Sequence, residues 1–194
     1  ADGYFILPLT VGNYLASGGL GAVTADAAEV QAAEAQVHRR TQQLLAVRGR
    51  RSVTTFHRQL GQLLWDGCGM VRSREALVRT QSQVAALYQQ FRQDVAIPGS
   101  GAELNHELEH AGRTADFFEL AELMCRDALA REESCGCHFR EEYQTARGDA
   151  QRDDARFAHV AAWEYAGPGA DQAPILHQEP LLFENAKLIE RSYR

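Results

Sequence analysis

Lysine is all but missing from this chain: of twenty basic residues only Lys187 is not arginine, and the twenty cations are outnumbered by 26 acids for a net charge of −6. With the two signs mixed along the sequence there is no electrostatic footprint for wrapping nucleic acid. Cysteine is scarce as well. Cys68, Cys125, Cys135 and Cys137 lack the regular spacing of a secreted disulfide scaffold, which points to a reducing compartment. Long apolar runs are also lacking. The greasiest stretch, Tyr4 to Leu15, is broken by Pro8, Gly12 and Asn13 and is shorter than the about 20 residues of a spanning helix. It has no basic leader segment of the signal-peptide kind. The chain opens at Ala1 without Met and runs straight into apolar residues, so the expectation is a truncated or split product.

What is present is helical periodicity. At 194 residues and 45% hydrophobic the chain has enough material to bury a core. Ser17-Gly18-Gly19-Leu20-Gly21 forms a flexible break, and Asp26 with Glu29 reads as a capping box opening a helix to about Val47, with Val30, Ala33, Val37, Leu44 and Val47 on one stripe. Ser52 opens a second helix carrying Val53, Phe56, Leu60, Leu63 and Leu64, closed by Gly67 and Gly69. Ser73 opens a third, with Leu77, Val84, Leu87, Phe91 and Val95, ended by Pro98-Gly99. The fourth, from about Gly101 to Glu133, places Leu104, Leu108, Ala111, Ala115, Phe118, Ala121, Cys125 and Ala128 on one face. Phe117, Leu120, Leu123 and Met124 widen its apolar arc, so this helix is expected to dock against more than its bundle neighbours. Beyond Ser134 the helical period ends. Phe157 to Tyr165 alternates as a strand, Leu181 to Ile189 is a weaker second strand, and Gly167-Pro168-Gly169 and Pro174 lie between them.

The expected fold is therefore mainly α: a spectrin-repeat-like three-helix bundle with an extra amino-terminal helix, then an irregular tail with a small antiparallel ribbon. The expected division is 1–21, the end of a preceding domain's helix and a linker; 22–134, the bundle; and 135–194, the extension.

Several side chains invite chemistry. Cys135-Gly136-Cys137-His138 has the ligand types of half a zinc site, but a closed site needs four ligands and no second Cys/His pair lies near; a helix-ending turn is the expectation. Glu132, Glu133, Glu141 and Glu142 resemble paired carboxylates, yet such charges flanking a helix end more often form a solvated face or salt links between domains. His106 and His110, four apart on the long helix, could share a metal, but no third ligand is evident on that face and exposed helix histidines are the expectation. Phe157, Trp163 and Tyr165 are expected to pack against the bundle. Gly18-Gly19-Leu20-Gly21 is Gly-rich but lacks the preceding strand and the spacing of a dinucleotide cradle. No catalytic, cofactor-binding or metal residue is assigned.

The run Arg131-Glu132-Glu133-Ser134-Cys135-Gly136-Cys137-His138-Phe139-Arg140-Glu141-Glu142, followed by Arg152-Asp153-Asp154, resembles the Glu-Ser-Xaa-Gly-Xaa-His, Arg-Glu and Arg-Asp-Asp run of succinate dehydrogenase and fumarate reductase flavoproteins. Gly3 to Ala16 looks like the helix after that family's flavin-binding turn, Phe56 to Met70 is similar to its His-Arg-Xaa-Leu-Gly and Trp-Asp-Xaa-Cys-Gly-Met pattern, and Phe183 to Arg194 resembles its terminus. Cys135 and Cys137 depart from the Arg and the small residue common there. The resemblance implies a carboxyl-terminal helical domain in which Glu133, Ser134, Gly136, His138, Arg140, Glu141, Arg152, Asp153 and Asp154 are structural or interdomain residues.

It further implies that the complete subunit passes a hydride from succinate to FAD and sends electrons through an iron–sulfur subunit to quinone. FAD would be held by the amino-terminal part and not by this chain alone, which is expected to be inactive. Partners would be that amino-terminal part, the iron–sulfur subunit, which would touch the chain directly, and the quinone-binding membrane anchor, which would do so indirectly, at the cytoplasmic face of the inner membrane. A stand-alone helical interaction module and an L-aspartate oxidase-like flavoprotein are the alternatives.

Overall fold

The computed structural model describes residues 2–19, 21, 23–166, 173–185 and 189, and the chain divides into two compact units, Ala1–Gln43 and Leu44–Arg194. In the first, a π-helical turn at Asp2–Ile6 leads into α1 (Leu7–Ser17). Pro8 sits in the first turn of α1, where its missing N–H has no intrahelical acceptor to lose. None of the residues of α1 is buried: Tyr4 just before it is 79% exposed and Leu9 within it 67%. Helix α2 (Ala28–Ala46) begins two residues after Asp26 with Glu29 in its first turn, where a carboxylate suits the positive helix end.

The expected stripe along α2 is only partly used. Leu44 and Val47 pack on the core of the second unit, whereas Val30 and Val37 are exposed and α2 itself buries no residue. A periodic stripe states where a helix could bury a face; the partner must be supplied elsewhere.

The second unit is built on three helices. β1 (Arg51–Ser52) runs into α3 (Val53–Gly67), β2 (Val71–Arg72) into α4 (Arg74–Asp94), β3 (Val95–Ala96) follows, and α5 (His106–Ala130) closes the bundle. Each helix starts at a side-chain cap that satisfies an otherwise unpaired N–H: Ser52 accepts from Thr55, Ser73 from Ala76, and Asn105 from Leu108. Asn105 also donates to the carbonyls of Pro98 and Ser100, which fixes the start of α5 at His106. The long helix is therefore shorter than the 101–133 expected, and Leu104, placed by periodicity on its buried face, lies before the cap and is 86% exposed.

Val53, Phe56 and Leu60 of α3, Val84, Leu87 and Phe91 of α4, and Ala111, Ala115, Phe118 and Ala121 of α5 form the core. Small residues on α5 let the helices approach, and the aromatic rings fill the remaining space. Phe56 meets Phe91 edge-on at 5.4 Å, and Phe118 stacks on Tyr88 at 5.0 Å. Burying a ring of this size contributes about 2–3 kcal/mol. Gly67 is the last helical residue of α3 and not a stop beyond it: a Cβ there would stand 1.8 Å from Thr80 Oγ1, so only glycine lets α3 and α4 pack this closely.

Short strands tie the ends together. β1 pairs with β3 and β2 with β4 (Phe139–Arg140), both in parallel. A helical turn, α6 (Asp154–Phe157), precedes the antiparallel ribbon of β5 (His159–Glu164) and β6 (Ile175–Pro180). The ribbon was expected, but its second strand is Ile175–Pro180, and residues 181–185 of the expected Leu181 to Ile189 strand lie outside it apart from one further bond, from the Leu181 N–H to the Ala158 carbonyl; residues 186–188 lie outside the described residues. Gly167-Pro168-Gly169 lies outside the described residues. Of the aromatics expected against the bundle, Phe157 is buried on α6 and Trp163 donates to Asp127 of α5 at 2.8 Å, while Tyr165 is exposed.

Candidate functional site

The run after α5 folds into a buried ionic clasp. Arg131 ends α5, and Glu133 and Ser134 turn inward beside it, 2% and 0% exposed. Cys135 and His138 exchange backbone hydrogen bonds across a tight turn whose Gly136 has φ +59°, a left-handed conformation that glycine adopts without strain. Cys135 is half-buried and Cys137 exposed. The turn returns the chain to β4, where Arg140 lies 1% exposed.

Arg140 is the centre of the clasp. Its guanidinium donates to the Ala128 carbonyl at 2.7 Å and to Glu142 at 3.1 Å, and lies 5.4 Å from the Tyr143 ring. A cation set on the last carbonyls of α5 satisfies acceptors that the helix leaves unpaired and meets the negative end of its dipole. Ser134 holds the Arg140 backbone from both sides, accepting its N–H and donating to its carbonyl. Glu133 takes the Arg131 guanidinium on one oxygen and the Asp153 N–H on the other. Arg131 reaches on to the Phe157 carbonyl. Every buried charge thus has a partner, the condition under which burying it is tolerable.

His138 joins the clasp to α3 and α4. Its Nε2 donates to the Arg131 carbonyl at 2.9 Å, which leaves Nδ1 to accept from Arg72 at 2.8 Å. Burial, then the positive charges of Arg72, Arg140 and Arg131, hold its pKa below the ordinary imidazole value. The ring is held in one tautomer, with Nε2–H donating and the Nδ1 lone pair accepting. Burial pushes the Glu142 carboxyl up, but the Arg74 N–H and the Arg140 guanidinium outweigh it and hold the group below the carboxylate range.

Asp153 caps α6, and Arg152 pairs with Asp154 and donates to the Ile189 carbonyl. Glu141 is exposed, and its backbone N–H bonds to Arg72. Glu132 pairs with Arg156 and Arg74. Of the residues singled out in sequence, Glu133, Ser134, His138, Arg140 and Asp153 join the clasp, Arg152 and Asp154 pair with each other beside it, the Glu141 carboxylate stays outside, and Gly136 serves through its backbone. Arg72 and Asp127 were not foreseen as members: Arg72 enters through a two-residue parallel pairing too short to leave a period, and Asp127 through a single bond to Trp163. Arg131 lay within the quoted run but carried no assigned role, and Glu142 was read only as one of four charges flanking a helix end.

Beneath this cluster Cys68 and Cys125 share a small apolar core with Leu77 and Ala128. The hydrogen bond from Cys125 lowers the Cys68 thiol to about 7, while the same bond and burial push Cys125 up. A shallow depression lined by Arg74, Glu75, Val78, Arg79 and Glu142 borders the clasp, but its charges alternate in sign and converge on no one ligand. Among the described residues no three His, Cys, Asp or Glu side chains gather as a metal site, and no helix is long and apolar enough to cross a membrane. Gly18 and Gly19 follow helix α1 and not the strand that precedes a dinucleotide-binding turn.

A family model described as fumarate reductase flavoprotein C-term matches residues 57–193. The fumarate reductase flavoprotein subunit of Escherichia coli (strain K12) is 29% identical over 140 residues, which cover 72% of this chain and 22% of that protein. The protein of the same name from a Serratia species is 26% identical over 159 residues, 82% of this chain and 26% of that protein. The chain thus spans about a fifth to a quarter of the length of the curated relatives it matches. In fold it is similar to the FrdA chain of E. coli quinol fumarate reductase, with a TM-score of 0.68 at 23% identity over 93% of this chain and 29% of that one. It is also similar to Mycobacterium smegmatis Sdh1, with a TM-score of 0.64 at 19% identity over 90% of this chain and 27% of that one.

Proposed function

The chain belongs to the fumarate reductase flavoprotein carboxyl-terminal family, and on that premise we propose that it serves as the helical carboxyl-terminal domain of a flavoprotein subunit that interconverts succinate and fumarate. Its contribution is rigidity and docking; the reacting groups lie elsewhere in the subunit. The observation that carries this reading is the state of the clasp, in which the buried charges of the family-like run are consumed in pairs and its one imidazole is locked by two hydrogen bonds.

On this reading Glu133, Ser134, His138, Arg140, Arg152, Asp153 and Asp154 hold the carboxyl-terminal extension to the bundle, and Gly136 permits the turn. Glu141, exposed at the rim, is placed to meet a neighbouring domain. FAD, held by the amino-terminal part of the subunit, would accept the hydride from succinate, and a quinone-binding membrane anchor would receive the electrons by way of an iron–sulfur subunit. The exposed apolar side chains of α1 and the arc of Phe117, Leu120 and Met124 on α5 would pack on the flavin-binding part, since apolar surface gathered in this way marks interfaces.

The test is reconstitution with the preceding part of the same subunit. The expected result is a stable complex that reduces a dye with succinate, together with no such activity from the 194-residue chain alone. Turnover by the chain alone, or no association between the two parts, would contradict the proposal. Capture of an iron–sulfur protein by the complex separates this reading from an aspartate oxidase-like one.

A further inference from the structure

The structure supplies the neighbour that the sequence lacked for the histidines of α5. His106 and His110 lie one turn apart at the start of that helix, on one face, and α3 brings His57 against His110. His110 Nε2 stands 3.3 Å from His57 Nδ1, with ring centroids 5.4 Å apart and planes crossed at 81°. Phe117 backs the His57 ring at 5.5 Å. Glu109, on the same turn, is committed to Arg113.

We propose that His57, His106 and His110 form a binding site for a borderline transition-metal dication, zinc(II) foremost. Two imidazole nitrogens bound to zinc at about 2.0–2.1 Å with a tetrahedral angle stand about 3.3–3.4 Å apart, the separation already present between His57 and His110. The ion sits off the line between the two nitrogens. It displaces the proton they share, and each ring swings to aim its lone pair at the metal. His57 is exposed and His110 only half-buried, so both have room for that movement. As placed, the three rings are not gathered around one point; the i, i+4 spacing of His106 and His110 is the one by which a helix offers two imidazoles to one metal, and a rotamer change that carries the exposed His106 ring toward the His57–His110 pair completes the set, with water as the fourth ligand. Neutral nitrogen donors select zinc, nickel or copper over the oxygen-seeking calcium and magnesium. The site stands on this geometry and is independent of the docking reading above.

Zinc chloride titrated calorimetrically into the untagged 194-residue chain should bind with one tight equivalent. His57→Ala and His110→Ala should each weaken that affinity at least about tenfold, and His106→Ala severalfold. Cobalt(II) in place of zinc should give the visible absorption of a tetrahedral ion without a thiolate charge-transfer band, and H57A should abolish it. Metal-free thermal melts of the three variants should match the parent chain, since the side chains removed lie at the surface. No zinc binding, an unchanged affinity in any of the three variants, or a cobalt spectrum with thiolate bands would overturn the proposal.

Discussion

Residues 1–43 and the bundle of α3, α4 and α5 are both rich in apolar side chains, yet they treat them oppositely. In the first unit Tyr4, Phe5, Leu9 and Leu15 stand in the open and neither α1 nor α2 buries a residue, whereas Phe56, Phe91 and Phe118 of the bundle are at most 2% exposed. The difference is not composition but the presence of a facing element. Three helices with matched stripes close on one another; a helix that buries none of its residues gains nothing from its own stripe, and an isolated 11-residue helix is marginal in water.

The largest effect that would break this comparison concerns the core. Phe118→Ala should cost about 3–5 kcal/mol in urea unfolding; a loss below about 1 kcal/mol would show that the bundle is no more tightly packed than the first unit. Next comes the clasp, which makes the bundle depend on a charge as well as on rings. Arg140→Met should lose about 3 kcal/mol, because it leaves the Ala128 carbonyl and Glu142 without their buried donor.

Acid should act through the same groups. His138 and Glu142 both have folded-state pKa values below their ordinary ones, so each stabilises the fold fully above its unfolded value and loses that contribution as pH falls toward the folded one. A first decline should begin just below pH 6.5 from His138 and a second below about 4.5 from Glu142. His138→Gln should remove the first decline in a series of thermal melts and leave the second. The smallest effect belongs to the first unit: Leu9→Ser should change stability by less than about 0.5 kcal/mol, as expected for an exposed position.

Much of the bundle was legible in sequence because caps and periodicity agree there. Ser52 and Ser73 open their helices where read, and Val53, Phe56, Leu60, Val84 and Phe91 are buried as their spacing required. Leu104 was misplaced because periodicity alone cannot see that Asn105 spends its side chain on capping and on the Pro98 loop. The second ribbon strand was misread because Leu181 and Leu182 are greasier than the strand that pairs, and pairing follows register, not hydropathy. The clasp residues were found as a group by resemblance, but their partners were not. Which carbonyl Arg140 reaches, and that Arg72 takes His138, depends on contacts between residues up to 66 positions apart, and no local pattern encodes them. The His57–His110 meeting, 53 positions apart, is of the same kind.

The most direct test of the central contrast is hydrogen–deuterium exchange on the 194-residue chain, alone and mixed with the flavin-binding part of the proposed subunit. Amides of Leu7–Ser17 should exchange quickly in the chain alone and become protected on mixing, while those of the buried face of α5 stay protected throughout. Protection of α1 in the isolated chain to the level of α5, or no change in α1 on mixing, would contradict the account.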